Sequence, residues 1–275
     1  MTDNNHHHDE EDFIMAFQDS CDKPTLLLIH GFPLNSSMWS PQLDDLANFV
    51  RVIAPDLRGH GQSDAMAGPY SVGMLADDCA DLLAHLNVAT PFVVCGHSMG
   101  GYIALEFYRR YSEFVAGLIL TATRAGADSA EGKANRDKMA EMAKREGVTA
   151  VADAMLPKLL SPDNFAQDKE LVEFAQQVME MASLEGVVGA LAAMRDRPDS
   201  TPTLGDIDVP VLVIHGADDQ LIPVSEAEAM AAAVPDGRLV IIPGAGHMPN
   251  LEQPDAFTDA VIDFLESLGF DDEIE

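Results

Sequence analysis

Short, nearly continuous apolar runs alternate along this chain with segments whose apolar positions recur at helical spacing. Residues 26–30, 52–54, 92–95, 115–121, 211–215 and 239–242 read as strands. Runs without polar alternation suit strands covered on both faces, as in a parallel sheet. Between them, Leu75, Cys79, Leu82, Leu83 and Leu86 fall on one stripe of a helix, as do Phe257, Val261, Phe264, Leu265 and Leu268 near the C-terminus. Ser225, with Glu228 three positions on, has capping-box spacing and predicts a helix start. Strand–helix alternation of this kind predicts an α/β protein with a mostly parallel, doubly wound sheet.

The alternation fails over residues 126–205, which hold no convincing strand and are rich in Ala, Met, Glu and Lys at helical spacings. An all-helical insertion is predicted there, and Pro198 and Pro202 mark the return to the sheet. Met139, Met142, Met155, Met179, Met181 and Met194 lie in it, serving either as the insertion's own core or as an adaptable pocket wall. The expected organisation is an acidic, His-containing tail (1–12), an α/β core (13–125 and 206–270), the insertion (126–205) and a second acidic tail (271–275).

Charge narrows the partners. Sixteen Lys and Arg against 46 Asp and Glu give a net charge of −30, a field that repels a phosphate backbone and argues against nucleic-acid binding. The acidity otherwise reads as a solvated surface suited to solubility, in high salt above all. No apolar stretch approaches the roughly 20 residues needed to span a bilayer, and the mean hydropathy is +0.01. Cys21, Cys79 and Cys95 form no CxxC pair and have no His at zinc-ligand spacing, so free thiols in a reducing compartment are expected. The N-terminus lacks a basic region followed by an apolar segment, so a cytoplasmic location is expected. His6, His7 and His8 read as part of a disordered tail.

The strongest chemical signal is Gly96-His97-Ser98-Met99-Gly100-Gly101, which follows a strand and opens a helix-period run. A serine held in a sharp strand-to-helix turn needs small neighbours, and its oxygen then sits at the positive end of the following helix. A serine hydroxyl is a poor nucleophile without a base, and the base needs a carboxylate to orient it. Both follow in the order Ser, Asp, His: Asp218 and Asp219 in the loop after the strand at 211–215, and His247 in a glycine-rich turn after the last strand. Only one of the two aspartates can point at His247. The tetrahedral oxyanion needs backbone donors. Met99, after the nucleophile, offers one amide and Phe32 of His30-Gly31-Phe32-Pro33-Leu34 the other, since Pro33 has none to give.

Taken with Asp56-Leu57-Arg58-Gly59-His60-Gly61-Gln62-Ser63-Asp64, Gly216-Ala217-Asp218-Asp219 and Gly246-His247, these stretches resemble the α/β-hydrolase superfamily across nearly the whole chain outside the tails and the insertion. The resemblance implies an α/β-hydrolase fold, favours Asp219 over Asp218 as the triad acid, and makes residues 126–205 a helical cap over an acyl pocket. Within the superfamily, His30-Gly31-Phe32-Pro33-Leu34 followed by Met38-Trp39 is similar to enol-lactonases of the 3-oxoadipate type, small esterases and cofactor-free perhydrolases. One departure stands out: a single short strand candidate, residues 13–17, precedes the strand at 26–30, where the family usually has two.

The expected function is hydrolysis of a small carboxylic ester or lactone through an acyl-enzyme. Ser98 is the nucleophile, His247 the general base and acid, Asp219 the orienting carboxylate, and the Phe32 and Met99 amides form the oxyanion hole. Trp39, Phe165, Phe174 and Met248 are the candidate pocket walls. No metal or organic cofactor is called for, and neither a nucleic acid nor a membrane is expected as partner; a homo-oligomer stays open. Carbon–carbon bond hydrolysis and peracid formation are alternatives on the same triad. A non-catalytic small-molecule binding protein on the same scaffold is the alternative of another class.

Overall fold

The computed structural model describes residues 13–20 and 24–270. Its centre is a seven-stranded sheet built from β1 (Phe17–Asp19), β2 (Thr25–Ile29), β3 (Arg51–Pro55), β4 (Phe92–His97), β5 (Val115–Thr121), β6 (Val211–Gly216) and β7 (Gly237–Ile242), in the spatial order β1-β3-β2-β4-β5-β6-β7. Only β1 runs antiparallel, against β3; every other pair is parallel. All residues of β2, β4 and β6 are buried. Because successive side chains point to opposite faces, both faces of these strands are covered.

The helices of the sheet region are α1 (Ser40–Leu46), α2 (Val72–His85) and α3 (Met99–Tyr111) before the insertion, and α10 (Val224–Ala233), α11 (Pro249–Glu252) and α12 (Pro254–Ser267) after it. Between the two sets lie α4 (Ala130–Glu146), α5 (Val148–Leu159), α6 (Pro162–Gln167), α7 (Lys169–Glu180), α8 (Leu184–Asp196) and α9 (Thr201–Leu204), with no strand among them. No helix among the described residues is long and apolar enough to cross a membrane.

Two local expectations are corrected. The edge strand is β1 and not residues 13–17: Gln18 and Asp19 pair with Ala54 and Ile53, while residues 13–16 form no strand. A polar three-residue edge strand has no hydrophobic signature, so apolar patterning places it too early. The Ser225–Glu228 capping box does not form either. Helix α10 starts at Val224 with Pro223 as its N-cap and no side-chain cap, and the Pro223 carbonyl accepts the Glu226 amide at 2.9 Å.

Cys79 and Cys95 are buried free thiols, and burial pushes the Cys95 thiol up to about 12. Cys21, His6, His7, His8 and the acidic tails lie outside the described residues.

Candidate active site

Ser98 occupies the turn between β4 and α3 with φ +52° and ψ −109°, a conformation few non-glycine residues adopt. The turn is possible because two neighbours lack side chains. A Cβ on Gly96 would run into the Gly100 carbonyl, and one on Gly100 into the Ile29 carbonyl of β2. The strained backbone is pinned from both sides: Ser98 N–H donates to Thr121 O at 2.8 Å, and Thr123 Oγ1 donates to Ser98 O at 2.7 Å.

His247 and Asp219 arrive on the loops after β7 and β6. Asp219 Oδ1 accepts the amides of Leu221 and Ile222 at 2.8 and 3.0 Å, which leaves Oδ2 for His247 Nδ1 at 2.7 Å. His247 Nδ1–H donates to that oxygen, so Nε2 is free to accept from Ser98 Oγ, 2.9 Å away. Burial alone would push the Asp219 carboxyl up; the adjoining His247 and the two amides outweigh it and hold the carboxyl below its usual range. Asp218 is exposed, so the geometry brings together Ser98, His247 and Asp219. The Met99 amide opens α3 directly after Ser98 and the Phe32 amide lies on the loop after β2, and neither donates to a protein acceptor among the described residues.

Two histidines brace this arrangement. His97 Nε2–H donates to the His247 carbonyl at 2.6 Å, and a Cβ on Gly31 would strike the His97 ring. Burial drives the His97 imidazole down to about 3, so it stays neutral. His30 accepts the Leu57 amide on Nε2 at 2.9 Å, which fixes the proton on Nδ1, where it bonds Gly31 O at 2.8 Å. Gly31 and the Phe32 loop are thereby held on neutral imidazoles.

Glu252 is a further participant that sequence reasoning missed. One of its oxygens accepts the amides of Gly246 and Met248, on either side of His247, at 2.8 and 3.3 Å. The other accepts Ser161 N–H at 2.7 Å and Asn164 Nδ2 at 2.9 Å, from the helical segment. His247 N–H itself donates to Leu159 O at 3.0 Å, and Gln220 Nε2 donates to Leu160 O at 2.9 Å. The helical segment and the loops of Asp219 and His247 are thus tied together at residues 159–164.

Beside Ser98 lies a cavity of about 200 Å³, and its wall includes Phe32, Tyr102, Met139, Met155, Met194 and Ile222. None of the four expected wall residues lines it. Trp39 is fully buried, its ring against those of His97 and Phe257, one layer behind the site. Met248 is core, Phe174 packs against the core from α7, and Phe165 on α6 is 38% exposed. The helical segment contributes to the wall from α4, α5 and α8, and the sheet region contributes Phe32, Tyr102 and Ile222. Of the insertion's methionines, Met139, Met155 and Met194 line the cavity, Met179 is core and Met181 is exposed.

A nucleophile elbow, a histidine and a carboxylate at the C-terminal edge of a mostly parallel sheet define an α/β hydrolase. The alpha/beta hydrolase family model matches residues 26–260, and the chain belongs to that family. It is similar to 3-oxoadipate enol-lactonase 2 of Acinetobacter baylyi, with 31% identity over 244 residues covering 87% of this chain and 88% of that protein. Among solved structures it is similar to a thermophilic esterase from Thermogutta terrifontis with malate bound, with TM-score 0.91 and 42% identity over 93% of this chain and 94% of that one. The enol-lactonase from Burkholderia xenovorans LB400 follows at TM-score 0.86 and 31% identity over 92% and 97% of the two chains.

Proposed function

We propose that the protein is a serine hydrolase of small carboxylic esters or lactones, working through an acyl-enzyme, with residues 126–205 as the cap over its acyl pocket. The observation that carries the reading is the unbroken relay Ser98 Oγ–His247 Nε2, His247 Nδ1–Asp219 Oδ2, at 2.9 and 2.7 Å, opening on a cavity beside two unengaged amides. His247 takes the Ser98 proton as Oγ attacks the carbonyl carbon. The Phe32 and Met99 amides receive the oxyanion, and collapse expels the alcohol with the proton returned by His247. Water then attacks the acyl-enzyme by the same route. In a lactone the leaving alkoxide stays attached to the acyl group, and the chemistry is otherwise unchanged. The chain's similarity to an esterase and to enol-lactonases supports the same reading.

Turnover of p-nitrophenyl esters from acetate to octanoate, with a fluorophosphonate as covalent probe, tests it. The expected results are a chain-length optimum at short acyl groups, given the cavity's size, and a mass increase confined to the peptide holding Ser98. A folded protein that neither hydrolyses an ester nor labels at Ser98 would refute the reading.

The Glu252 geometry yields a separate prediction. Glu252→Gln keeps the shape and removes the charge its four donors share, so kcat is expected to fall about 10- to 100-fold with KM nearly unchanged. Steady-state kinetics on a variant shown to be folded by circular dichroism check this. An unchanged kcat would mean that the loop keeps its place without the carboxylate.

A further inference from the structure

The Asp219 carboxylate meets more than His247 and the two amides. Its side chain is fully buried, and so is that of His215, the penultimate residue of β6. His215 Nε2 lies 2.9 Å from Ile222 O and 3.3 Å from Asp219 Oδ2. A carbonyl and an ionised carboxylate are both acceptors, so Nε2 carries the proton. The N–H donates to Ile222 O and lays its positive end against Oδ2 as well. Nδ1 is buried with no hydrogen-bond partner among the described residues, and a second proton there would be left unmatched. Burial lowers the imidazole below its ordinary value, and it stays neutral.

Ile222 closes a ring of contacts between the two side chains. Its N–H donates to Asp219 Oδ1 at 3.0 Å while its carbonyl accepts from His215. Asp219 and Ile222 stand on a loop, whereas His215 belongs to a fully buried strand paired on both sides, with β5 and with β7. The imidazole is therefore the fixed point of the ring. A carboxylate held only through Oδ1 can still rotate, and its aim at His247 turns with it; a rigid N–H against Oδ2 removes that freedom. His215 does not line the cavity, so it reaches the reaction through its neighbours.

We propose that His215 is a positioning residue for the reaction: its neutral Nε2–H fixes the Asp219 carboxylate against His247, and so holds the imidazole that takes the Ser98 proton. This rests on the serine-hydrolase reading and deepens it. Asp219 Oδ2 then lies between two imidazoles with different tasks. His247 gains and loses a proton in every turnover, and His215 keeps its own. Neutrality suits the second task, because a protonated ring there would compensate the carboxylate charge that stabilises the His247 imidazolium.

The test compares His215→Phe, which keeps a ring and loses the donor, with His215→Gln, whose amide nitrogen reaches the place of Nε2. Each is first shown to be folded by circular dichroism. Two quantities are read: kinetics on p-nitrophenyl acetate, and the downfield proton resonance of His247 Nδ1–H, assigned as the one lost in His247→Ala. In His215→Phe, kcat is expected to fall about 10- to 100-fold with KM changed by less than about three-fold, and the resonance to shift upfield as the bond to Oδ2 lengthens. His215→Gln is expected to recover most of kcat and to return the resonance towards its wild-type position. A loss of packing alone would lower stability without moving that proton. An unchanged kcat in folded His215→Phe, or a fall in kcat without the upfield shift, overturns the proposal and leaves the hydrolase reading standing. His215→Asn serves if the phenylalanine variant does not fold, since its shorter amide reaches the place of Nδ1 and leaves that of Nε2 empty.

If the wild type hydrolyses no ester, the hydrolase reading fails and the positioning role is read from the resonance alone. An upfield shift in His215→Phe that is reversed in His215→Gln supports it. A resonance unmoved in His215→Phe overturns it.

Discussion

Ser98→Ala is expected to lower kcat by about six orders of magnitude and Asp219→Asn by about four, with the folded structure intact in both. The two losses have different origins. Alanine removes the nucleophile but leaves the cavity and the Phe32 and Met99 amides, so residual activity over water reflects binding and oxyanion stabilisation alone. Asparagine acts through a proton. Oδ1 of Asp219 is committed to the Leu221 and Ile222 amides, so the asparagine side chain keeps those bonds with its carbonyl oxygen and turns its NH2 towards His247. His247 Nδ1 must then accept, its proton moves to Nε2, and the ring can no longer take the Ser98 proton at 2.9 Å. Because the residues act as one unit, the double variant is expected to be no slower than Ser98→Ala. Active-site-titrated kinetics on the three variants decide it. If Ser98→Ala keeps a tenth of wild-type kcat, Ser98 is not the nucleophile.

How legible each part of the site was depends on whether its constraint is local. Ser98 shows in the sequence because its turn forbids side chains at positions 96 and 100, and glycines at fixed offsets record that directly. Asp219 and His247 show because they sit on loops at strand ends, where apolar runs stop. The cavity wall is another matter. An apolar face on a helix of the 126–205 segment marks burial without saying what it is buried against, so Met155 and Met179 look alike in sequence and differ in place: one lines the cavity and the other is core. Trp39 and Met248 drew attention by size and by closeness to motifs, but large apolar groups beside a strained turn serve first to support it. Glu252 and His97 left no pattern at all. Their roles arise from backbone amides and a carbonyl that converge only in three dimensions.

The buried imidazoles, the two that brace the site among them, should also make the protein acid-labile. His30, His60, His97 and His215 have buried side chains, and burial is the chief cause that lowers each below its ordinary value, to about 4 for His60 and about 3 for His97. In the unfolded chain each titrates near ~6.5. Between that value and the folded one, only the unfolded chain binds the proton, so protons favour unfolding and stability rises with pH through the window. For His60 and His97, whose folded values lie near 4 and 3, each costs about 1.4 kcal/mol per pH unit, and the two together about 3. By pH 5 their loss relative to pH 7.5 is on the order of 4 kcal/mol, a large share of the stability of a typical domain, and His30 and His215 act in the same direction. Easing of the −30 self-repulsion opposes this only once carboxylates begin to protonate, mostly below about pH 5. Urea unfolding at fixed salt is therefore expected to show a midpoint that is flat above pH 7 and falls steeply from pH 6.5 to 5. The loss of activity over that range would contain an unfolding component. A midpoint independent of pH from 7.5 to 5 would mean that these imidazoles take up protons within the folded protein, and that the Gly31 loop and the His247 carbonyl are not held by neutral rings.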